Sequence, residues 1–304
     1  MPTLLEMPDV TMINILEKCS YKSVLALRKV CHSLRNFIDD SCFKTDLDDI
    51  DIAIDSTGFS VIFQTPDGLW TDGISSARNW TSNDLKIILK LVQNSKLSCF
   101  TVNTTPDSVR GLDDLEELLK NQARQLQTEN FEMEGSEIFK VLPYLDPKTL
   151  KEIYIIPENY GTDYQNLDSI EQLIELEQFK NAVELTISNV LVRADLRKFF
   201  HFQRIIMKLH ETSLEELVAL QEAFVTSTHM EYFELNGRNL NEDQLEKVFG
   251  TPFRDDRYRL GRSQWFFEIR NCKEHVLRIE KSNNVIQFWK WEAKDVPKNA
   301  VVHR

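Results

Sequence analysis

The sequence predicts an α/β protein with three parts: an N-terminal module of three helices, an open α/β solenoid, and a C-terminal antiparallel β meander. Three observations predict this fold class. Residues 4–38 contain three short apolar patterns of helical period. From about residue 81, helical and extended patterns alternate repeatedly. Near the C-terminus, three strand-like segments follow one another with only short polar turns between them.

The N-terminal helices are predicted from their start signals and their apolar spacing. Pro8 and Asp9 favour a helix start, because Pro fits the first turn and an acid suits the positive end of the helix dipole. Val10, Ile13 and Leu16 recur at close to helical spacing, with Met12 and Ile15 on the flank. The apolar positions of the next two helices are Val24, Leu25, Leu27, Leu34, Phe37 and Ile38. So small a module with surplus apolar surface either caps the domain behind it or binds a partner.

A connector is predicted between this module and the larger domain. We divide the chain into a helical module at residues 1–45, a connector at 46–80 and a repeat domain at 81–304. Within the connector, residues 50–55 and 60–65 alternate or run apolar around a Ser-Thr-Gly turn, so a β-hairpin is expected there.

The repeat domain alternates helices with strands. Predicted strands are residues 97–103, 129–134, 150–156, 183–188, 204–210 and 230–236. Predicted helices are residues 81–92, 113–126, 136–145, 168–181, 195–202, 213–224 and 241–249. Right-handed crossovers would make the strands parallel, with the helices on one face of a curved solenoid. The strand spacing overlaps the period of leucine-rich repeats, although their consensus is absent. A doubly wound sheet is the alternative.

The predicted strands are apolar on one side only. Pairs such as Ile153 with Ile155 and Phe233 with Leu235 would face the helices. Sheets covered on both faces read as continuous apolar runs, so this alternation predicts one open polar face. We expect that face to bind a target protein, although a merely solvated face is the simpler interpretation. Its candidate residues are Glu152, Tyr154, Glu184, Lys208, His210, Tyr232 and Glu234.

The C-terminal part is predicted to be a β cap at residues 264–291. Its strands are residues 264–271, 275–282 and 285–291, joined by short polar turns. Six aromatic residues make it the most aromatic part of the chain. Aromatics on a small sheet more often belong to the core than to a contact surface, whereas exposed ones would be interface anchors.

Composition narrows the class of protein. The 304 residues are 42% hydrophobic and 28% charged, which is typical of a globular protein. Residues 1–45 carry six Lys/Arg and five Asp/Glu, so nearly all of the net charge of −12 lies in the rest of the chain. An acidic body is poorly suited to nucleic-acid phosphates. No apolar run suggests a membrane span or a secretion signal, which favours the cytoplasm or the nucleus.

No catalytic or metal-binding motif is found. The five cysteines are scattered without a Cys-x-x-Cys pair, and the six histidines lack ligand spacing. Gly-rich phosphate loops, His-Glu-x-x-His and Gly-x-Ser-x-Gly are absent. We therefore expect no cofactor, no metal and no enzymatic activity, while an enzyme with an unrecognised site remains an alternative.

Residues 4–38 resemble an F-box. The resemblance begins at Met7-Pro8-Asp9 and continues without a gap through Ile15-Leu16, Leu25, Leu27, Val30-Cys31 and Arg35. Cys19 and Leu34 depart from the residues usual in the family. The resemblance implies a three-helix module that docks onto a Skp-family adaptor of a cullin-based, SCF-type ubiquitin ligase. The residues expected to bind that adaptor are Met7, Pro8, Ile13, Leu16, Leu25, Val30, Cys31 and Leu34.

A second resemblance lies behind the first. The segments 213–217, 249–252, 265–269 and 276–279 are similar to the FTH domain of the nematode F-box A family, whose members carry an F-box followed by this domain. The resemblance implies a subunit that recruits a target protein to a ubiquitin ligase. A scaffold that binds a partner without ubiquitination is the alternative.

Overall fold

The computed structural model describes residues 6–66, 70–72, 80–105, 107–135, 137–156, 165–166, 170–236, 241–254 and 262–304. The chain divides into two compact units, Met1–Lys151 and Glu152–Arg304. Both are α/β, and the first begins with helices. No helix among the described residues is both long enough and apolar enough to cross a membrane.

Among its described residues, the first unit has five α-helices and one mixed sheet. Its helices are α1 (Asp9–Leu16), α2 (Tyr21–Arg28), α3 (His32–Asp40), α4 (Ser82–Val92) and α5 (Val109–Lys120). Its strands are β1 (Asp49–Asp55), β2 (Gly58–Gln64), β3 (Trp70–Asp72), β4 (Lys96–Thr104) and β5 (Gln127–Glu134). The strand order is β5-β4-β1-β2-β3, with β5, β4 and β1 parallel and the other pairs antiparallel.

The hairpin β1–β2 is part of this sheet. Asp49 pairs with Gln64 and Asp55 with Gly58 across the antiparallel ladder. On its other edge β1 pairs in parallel with β4 over six residues. The hairpin is therefore part of the sheet of the first unit, because β1 pairs with β2 on one edge and with the parallel strand β4 on the other.

The N-terminal helices are fixed to this sheet through Tyr21. The Tyr21 side chain is only 3% exposed, and its ring centroid lies 5.2 Å from that of Phe63 in β2. Phe63 in turn makes an edge contact with Trp80, at 5.7 Å. The backbone N–H of Tyr21 donates to Asp46 Oδ1 at 2.8 Å. Burying an aromatic ring together with a paired backbone group favours one fixed orientation of the module within the unit.

The second unit places parallel strands next to an antiparallel meander. Its helices are α6 (Ile170–Glu175), α7 (Glu177–Asn181), α8 (Leu214–Thr226) and α9 (Glu242–Phe249). Its strands are β6 (Glu152–Ile156), β7 (Gln165–Asn166), β8 (Glu184–Val192), β9 (Arg204–Leu209), β10 (Tyr232–Asn236), β11 (Phe253–Arg254), β12 (Ser263–Glu268), β13 (His275–Ser282), β14 (Val285–Glu292) and β15 (Val302–His303). The main order is β6-β8-β9-β10-β14-β13-β12-β11, while β7 pairs with β8 and β15 with β12.

The strand pairing separates two parts of that sheet. Strands β6, β8, β9 and β10 are parallel, as the helix–strand alternation predicts. Strands β12, β13 and β14 form an antiparallel meander, which continues the sheet because β14 pairs antiparallel with β10. In this meander Trp265, Phe266 and Phe288 are buried core residues, whereas Trp289 and Trp291 are half-buried.

Several predicted helices differ from the observed ones. The helix predicted at 136–145 is replaced by two 3₁₀ turns, Ile138–Lys140 and Leu142–Tyr144, and Pro143 lacks the N–H that a continuing helix needs. The helix predicted at 168–181 is two short helices that meet at Leu176, and residues 168–169 lie outside the described residues.

A substitution at Tyr21 tests how the helical module is fixed. Tyr21→Ala removes a buried ring that contacts Phe63, so we expect the free energy of unfolding of the first unit to fall by about 3 kcal/mol. The measurement is urea unfolding followed by tryptophan fluorescence, to which Trp80 contributes. Lys29→Ala, at an exposed side chain near the end of α2, is the control and should change the free energy by less than about 0.5 kcal/mol. Equal effects of the two substitutions would contradict this packing.

Candidate docking surfaces

The helical module leaves apolar side chains exposed. Val10 is 71% exposed and Val30 67%, while Met7, Ile13 and Leu25 are half-buried. Val10 and Ile13 are three residues apart in α1 and therefore share one face of that helix. Single exposed valines are common on proteins, but several apolar side chains on a module of three short helices are the pattern of a contact surface.

Two of the predicted contact residues belong to the core of the module instead. Leu16 is 2% exposed and Leu34 5%, so neither side chain is accessible to a partner. A third, Cys31, is half-buried and caps α3, since its Sγ accepts a hydrogen bond from the N–H of Leu34 at 3.5 Å. These residues hold the helices in place, and Pro8, which is exposed, forms the N-cap of α1.

The apolar face of α1 also differs from the predicted one. The buried residues are Met12 and Leu16, four residues apart, whereas Val10 points to solvent. The sequence pattern of Val10, Ile13 and Leu16 therefore mixes one core residue with two residues on the outer side. Periodicity alone could not separate the two faces, because α1 is apolar on more than one side.

An ion pair fixes the relative position of α2 and α3. Arg28 Nε donates to Asp39 Oδ1 at 2.7 Å, and Arg28 Nη2 donates to Asp39 Oδ2 at 2.8 Å. The bidentate hydrogen bond to Asp39 is the main cause that raises the pKa of Arg28 above its usual value. Such a two-point contact orients both helices, so Leu25 in α2 and Val30 in the link to α3 are presented in a defined arrangement.

Three parallel strands of the second unit, β6, β9 and β10, show the alternation that predicts an open face. In β10 the side chains of Phe233 and Leu235 are buried, and the alternate residues Tyr232 and Glu234 are half-buried. The same alternation occurs in β6 and β9. One face of this sheet therefore packs in the core of the unit, and the other presents mostly polar side chains.

A polar network crosses the open face. Strand register places Glu184, Arg204 and Tyr232 side by side on β8, β9 and β10. Arg204 Nε lies 3.3 Å from Glu184 Oε2, and the Arg204 guanidinium lies 5.3 Å from the centre of the Tyr232 ring. The Tyr232 hydroxyl donates to Glu234 Oε2 at 2.6 Å, and Gln287 Nε2 donates to the same oxygen at 2.8 Å. These contacts hold the side chains in fixed positions before any partner binds.

Burial changes the acid–base behaviour of this network. It is the largest cause that raises the pKa of Tyr232 to about 12, followed by the hydrogen bond to Glu234. Burial also raises the pKa of Glu184, with repulsion from Glu152 in the same direction and attraction to Arg204 opposing both. The Tyr232 hydroxyl therefore remains a neutral hydrogen-bond donor under ordinary conditions.

The other predicted target-binding residues lie on the same side of the sheet or at its edge. Glu152 is exposed and stands opposite Glu184, while the Tyr154 hydroxyl accepts a hydrogen bond from Ser188 Oγ at 3.3 Å. Lys208 is half-buried near the end of β9. His210 follows that strand and contacts Arg193 Nη2 through Nε2 at 3.0 Å. Glu184, Tyr232 and Glu234 thus belong to one network.

The meander places two of its aromatic residues, Trp289 and Trp291, beside Arg278, a contact that the sequence did not indicate. The Arg278 guanidinium lies 4.7 Å from the centre of the Trp289 ring and 4.5 Å from that of Trp291, and it is ion-paired with Glu280. The Tyr232 and Trp289 ring centroids are 6.3 Å apart, so this stack continues the polar network on the open face. Trp and Arg are enriched among the residues that carry most of the binding energy in protein interfaces. The alternation in β14 could have indicated that Trp289 faces outward. The pairing of β14 with β10 has no signal in the local sequence, because the two strands are far apart along the chain.

A metal centre is not indicated on these surfaces. Within the described part of the chain, no group of three or more His, Cys, Asp or Glu side chains is placed so that it could hold a metal ion.

Comparisons with known proteins agree with both resemblances. A family model of the F-box domain matches residues 4–46, and a model of the FTH domain matches residues 109–253. The FTH match ends before the meander, so the similarity seen at 265–269 and 276–279 lies outside it. No curated protein matches the chain, and no solved structure does. The chain is therefore an F-box protein in which the F-box precedes an FTH domain.

Proposed function

We propose that the chain recruits a target protein to an SCF-type ubiquitin ligase: its F-box docks on a Skp-family adaptor, and its second unit binds the target. An F-box supports the role of SCF adaptor in general. The specific proposal depends on one observation: the helical module has one side that packs in its own unit and another that is accessible. One side is fixed to the first unit through Tyr21, while Val10, Ile13, Leu25 and Val30 remain accessible.

The energy of docking would come from burying these apolar side chains. Full burial of a Val, Leu or Ile side chain is worth about 1.5–3 kcal/mol relative to exposure. Four such side chains, presented by helices whose orientation is already fixed, would lose little conformational entropy on binding. We therefore assign Val10, Ile13, Leu25 and Val30 to the contact and retain Met7 and Pro8 beside them. Leu16, Cys31 and Leu34 support the contact from within the module.

The target would bind the open face of the second unit. The network of Glu184, Arg204, Tyr232 and Glu234 is held by its own contacts, and the stack of Arg278 between Trp289 and Trp291 adds aromatic surface. A rigid face of this kind offers hydrogen bonds and aromatic contact at little ordering cost.

We also propose that the parallel strands belong to a leucine-rich-repeat-like open solenoid. Burial of one sheet face and the alternation of strands with short helical connections support this arrangement. The chain itself would perform no chemistry on the target. It would hold the target close to a ubiquitin-charged enzyme, and this proximity would increase the rate of ubiquitin transfer. The proposed function implies that the protein acts in the cytoplasm or the nucleus.

Charged substitutions in the F-box test the adaptor contact. We expect Val30→Asp and Ile13→Asp each to weaken binding of a purified Skp-family adaptor at least about tenfold, because a carboxylate would be buried against an apolar groove. The measurement is isothermal titration calorimetry with the full chain. Val301→Asp is the matched control, since Val301 is a similarly exposed valine (65%) outside the F-box.

These outcomes separate a contact from a loss of folding. The variants must keep the far-ultraviolet circular dichroism of the unsubstituted chain. Leu16→Asp should unfold the module as well as abolish binding, because Leu16 is buried. Tight adaptor binding by both Val30→Asp and Ile13→Asp would contradict the assigned surface.

A double variant and a control variant test the target surface. Glu152→Arg combined with Tyr154→Ala changes the open face, whereas Glu222→Arg changes an exposed position on α8. We expect the double variant Glu152→Arg, Tyr154→Ala to lose target proteins in affinity purification with mass spectrometry. The variant Glu222→Arg should retain them. The Skp-family adaptor should be recovered with both, because the F-box is unchanged. Identical protein sets from both variants would contradict target binding at this end of the open face.

If the target is recovered but its half-life does not change when the chain is removed from cells, the chain acts as a scaffold without ubiquitination. That result would reject the ligase part of the proposal and retain both binding surfaces.

A further inference from the structure

The sheet of the first unit presents four carboxylates on its outer face. In β1, the half-buried Asp49 and Asp51 alternate with buried isoleucines, and in β5 the half-buried Glu132 and Glu134 alternate with buried apolar residues. Register pairs buried with buried residues across β1, β4 and β5. The residues between them therefore point to the opposite side of the sheet. We call the side that carries these four acids the acidic face.

A single short side chain separates the acids of β1 from those of β5. Asp51, Thr101 and Glu132 stand side by side on β1, β4 and β5. Strands β1 and β5 are two strand spacings apart, about 9.5 Å. Across this gap Asp51 repels Glu132, which is also repelled by Glu134 on its own strand. The carboxylates thus form one field of negative charge that extends along and across the strands.

No positive charge of these strands balances the acidic face. The one Lys or Arg in β1, β2, β4 and β5 is Lys96, the first residue of β4, and it forms an ion pair with Glu129. Lys151 pairs with the same carboxylate at 3.0 Å, so it is engaged as well. Within the part of the chain that the structure describes, none of the four acids has an ion-pair partner. Charge complementarity therefore favours a positively charged occupant.

The acids also lack partners that would offset their burial. Asp49 Oδ1 is buried and has no hydrogen-bond partner among the described residues. Asp51 accepts a hydrogen bond from Asn103 Nδ2 at 2.9 Å, but this amide carries no charge. Burial is the largest cause that raises the pKa of Asp49, Asp51 and Glu132. A carboxyl whose pKa rises on folding lowers the stability of the folded chain at neutral pH, and a cation bound beside it relieves that cost.

The spacing of the acids suits several cations better than one metal ion. Within the described residues, no group of three or more His, Cys, Asp or Glu side chains is placed to hold a metal ion. Glu132 and Glu134 are alternate residues of one strand, which are about 6.6 Å apart. Alternate side chains of an extended peptide have the same spacing. Lys or Arg at every second position of such a peptide can therefore meet successive carboxylates.

We propose that the acidic face of the first unit binds an extended, lysine- or arginine-rich segment of another protein. Each cation forms charge-assisted hydrogen bonds with a carboxylate. The opposite charges also speed association and select against acidic partners. This inference goes beyond the proposed function, because the acidic face belongs to the first unit and contains no residue of the F-box contact, whereas the proposed target face belongs to the second unit.

The test uses the full chain and two short labelled peptides of alternating sequence. One peptide alternates lysine with threonine, the other alternates glutamate with threonine, and fluorescence anisotropy gives their affinities at low and at high salt. We expect the lysine peptide to bind at least about tenfold more tightly than the glutamate peptide at low salt, and its affinity to fall as salt screens the charges. Equal affinities of the two peptides would overturn the proposal.

Two double variants with the same change of net charge separate this face from the acidity of the whole chain. Asp51→Asn with Glu132→Gln removes two charges of the acidic face, and Glu117→Gln with Glu222→Gln removes two charges at exposed positions of α5 and α8. We expect the first to weaken binding of the lysine peptide at least about tenfold and the second less than about twofold. Equal weakening by both would assign the binding to net charge and contradict the proposal.

Thermal unfolding of the same variants separates binding from folding. Asp51→Asn with Glu132→Gln should keep or raise the melting temperature at neutral pH, because it removes half-buried charges and leaves an oxygen that can accept from Asn103. Loss of binding without loss of stability is the result that the proposal requires. Retained binding by this variant would overturn it.

Discussion

In each unit, the parallel strands bury one side of the sheet and leave the other half-exposed, and the proposed target surface depends on this asymmetry. Leu185, Ile205 and Phe233 pair side by side on the buried face of the second unit. Because side chains alternate along a strand, the residues between them must face the other way. Register then brings Glu184, Arg204 and Tyr232 together, although about 50 residues of sequence separate the first from the last. Apolar burial thus sets the geometry of the polar face.

The F-box also needs both buried surface, which keeps it folded, and accessible surface, which can contact a partner. Three short helices bury too little surface to be stable alone, so the module uses the sheet of the first unit as additional core. Tyr21, packed on Phe63, provides that core contact, and the pair of Arg28 with Asp39 sets the relation of α2 to α3. Apolar side chains on the remaining side are then free for another protein. The module is therefore fixed within its own unit and still has accessible apolar residues.

The sequence predicted much of this architecture and less of its detail. Alternation within strands is a local property, so the meander strand at 275–282 and the outward positions of Tyr232 and Glu234 were predicted correctly. Pairing across long stretches of chain is not local, which is why the contact of β14 with β10 and the stack around Arg278 were missed. In α1 the apolar residues surround most of the helix, so the pattern could not show that Leu16 faces inward and Val10 outward.

Hydrogen–deuterium exchange of the full chain, with and without a purified Skp-family adaptor, tests the central claim most directly. The account predicts that the adaptor slows exchange in α1 and in the segment from Leu25 to Val30, while exchange in β9, β10 and β14 stays unchanged. No protection within residues 6–40 at saturating adaptor, or protection confined to the strands of the second unit, would contradict it.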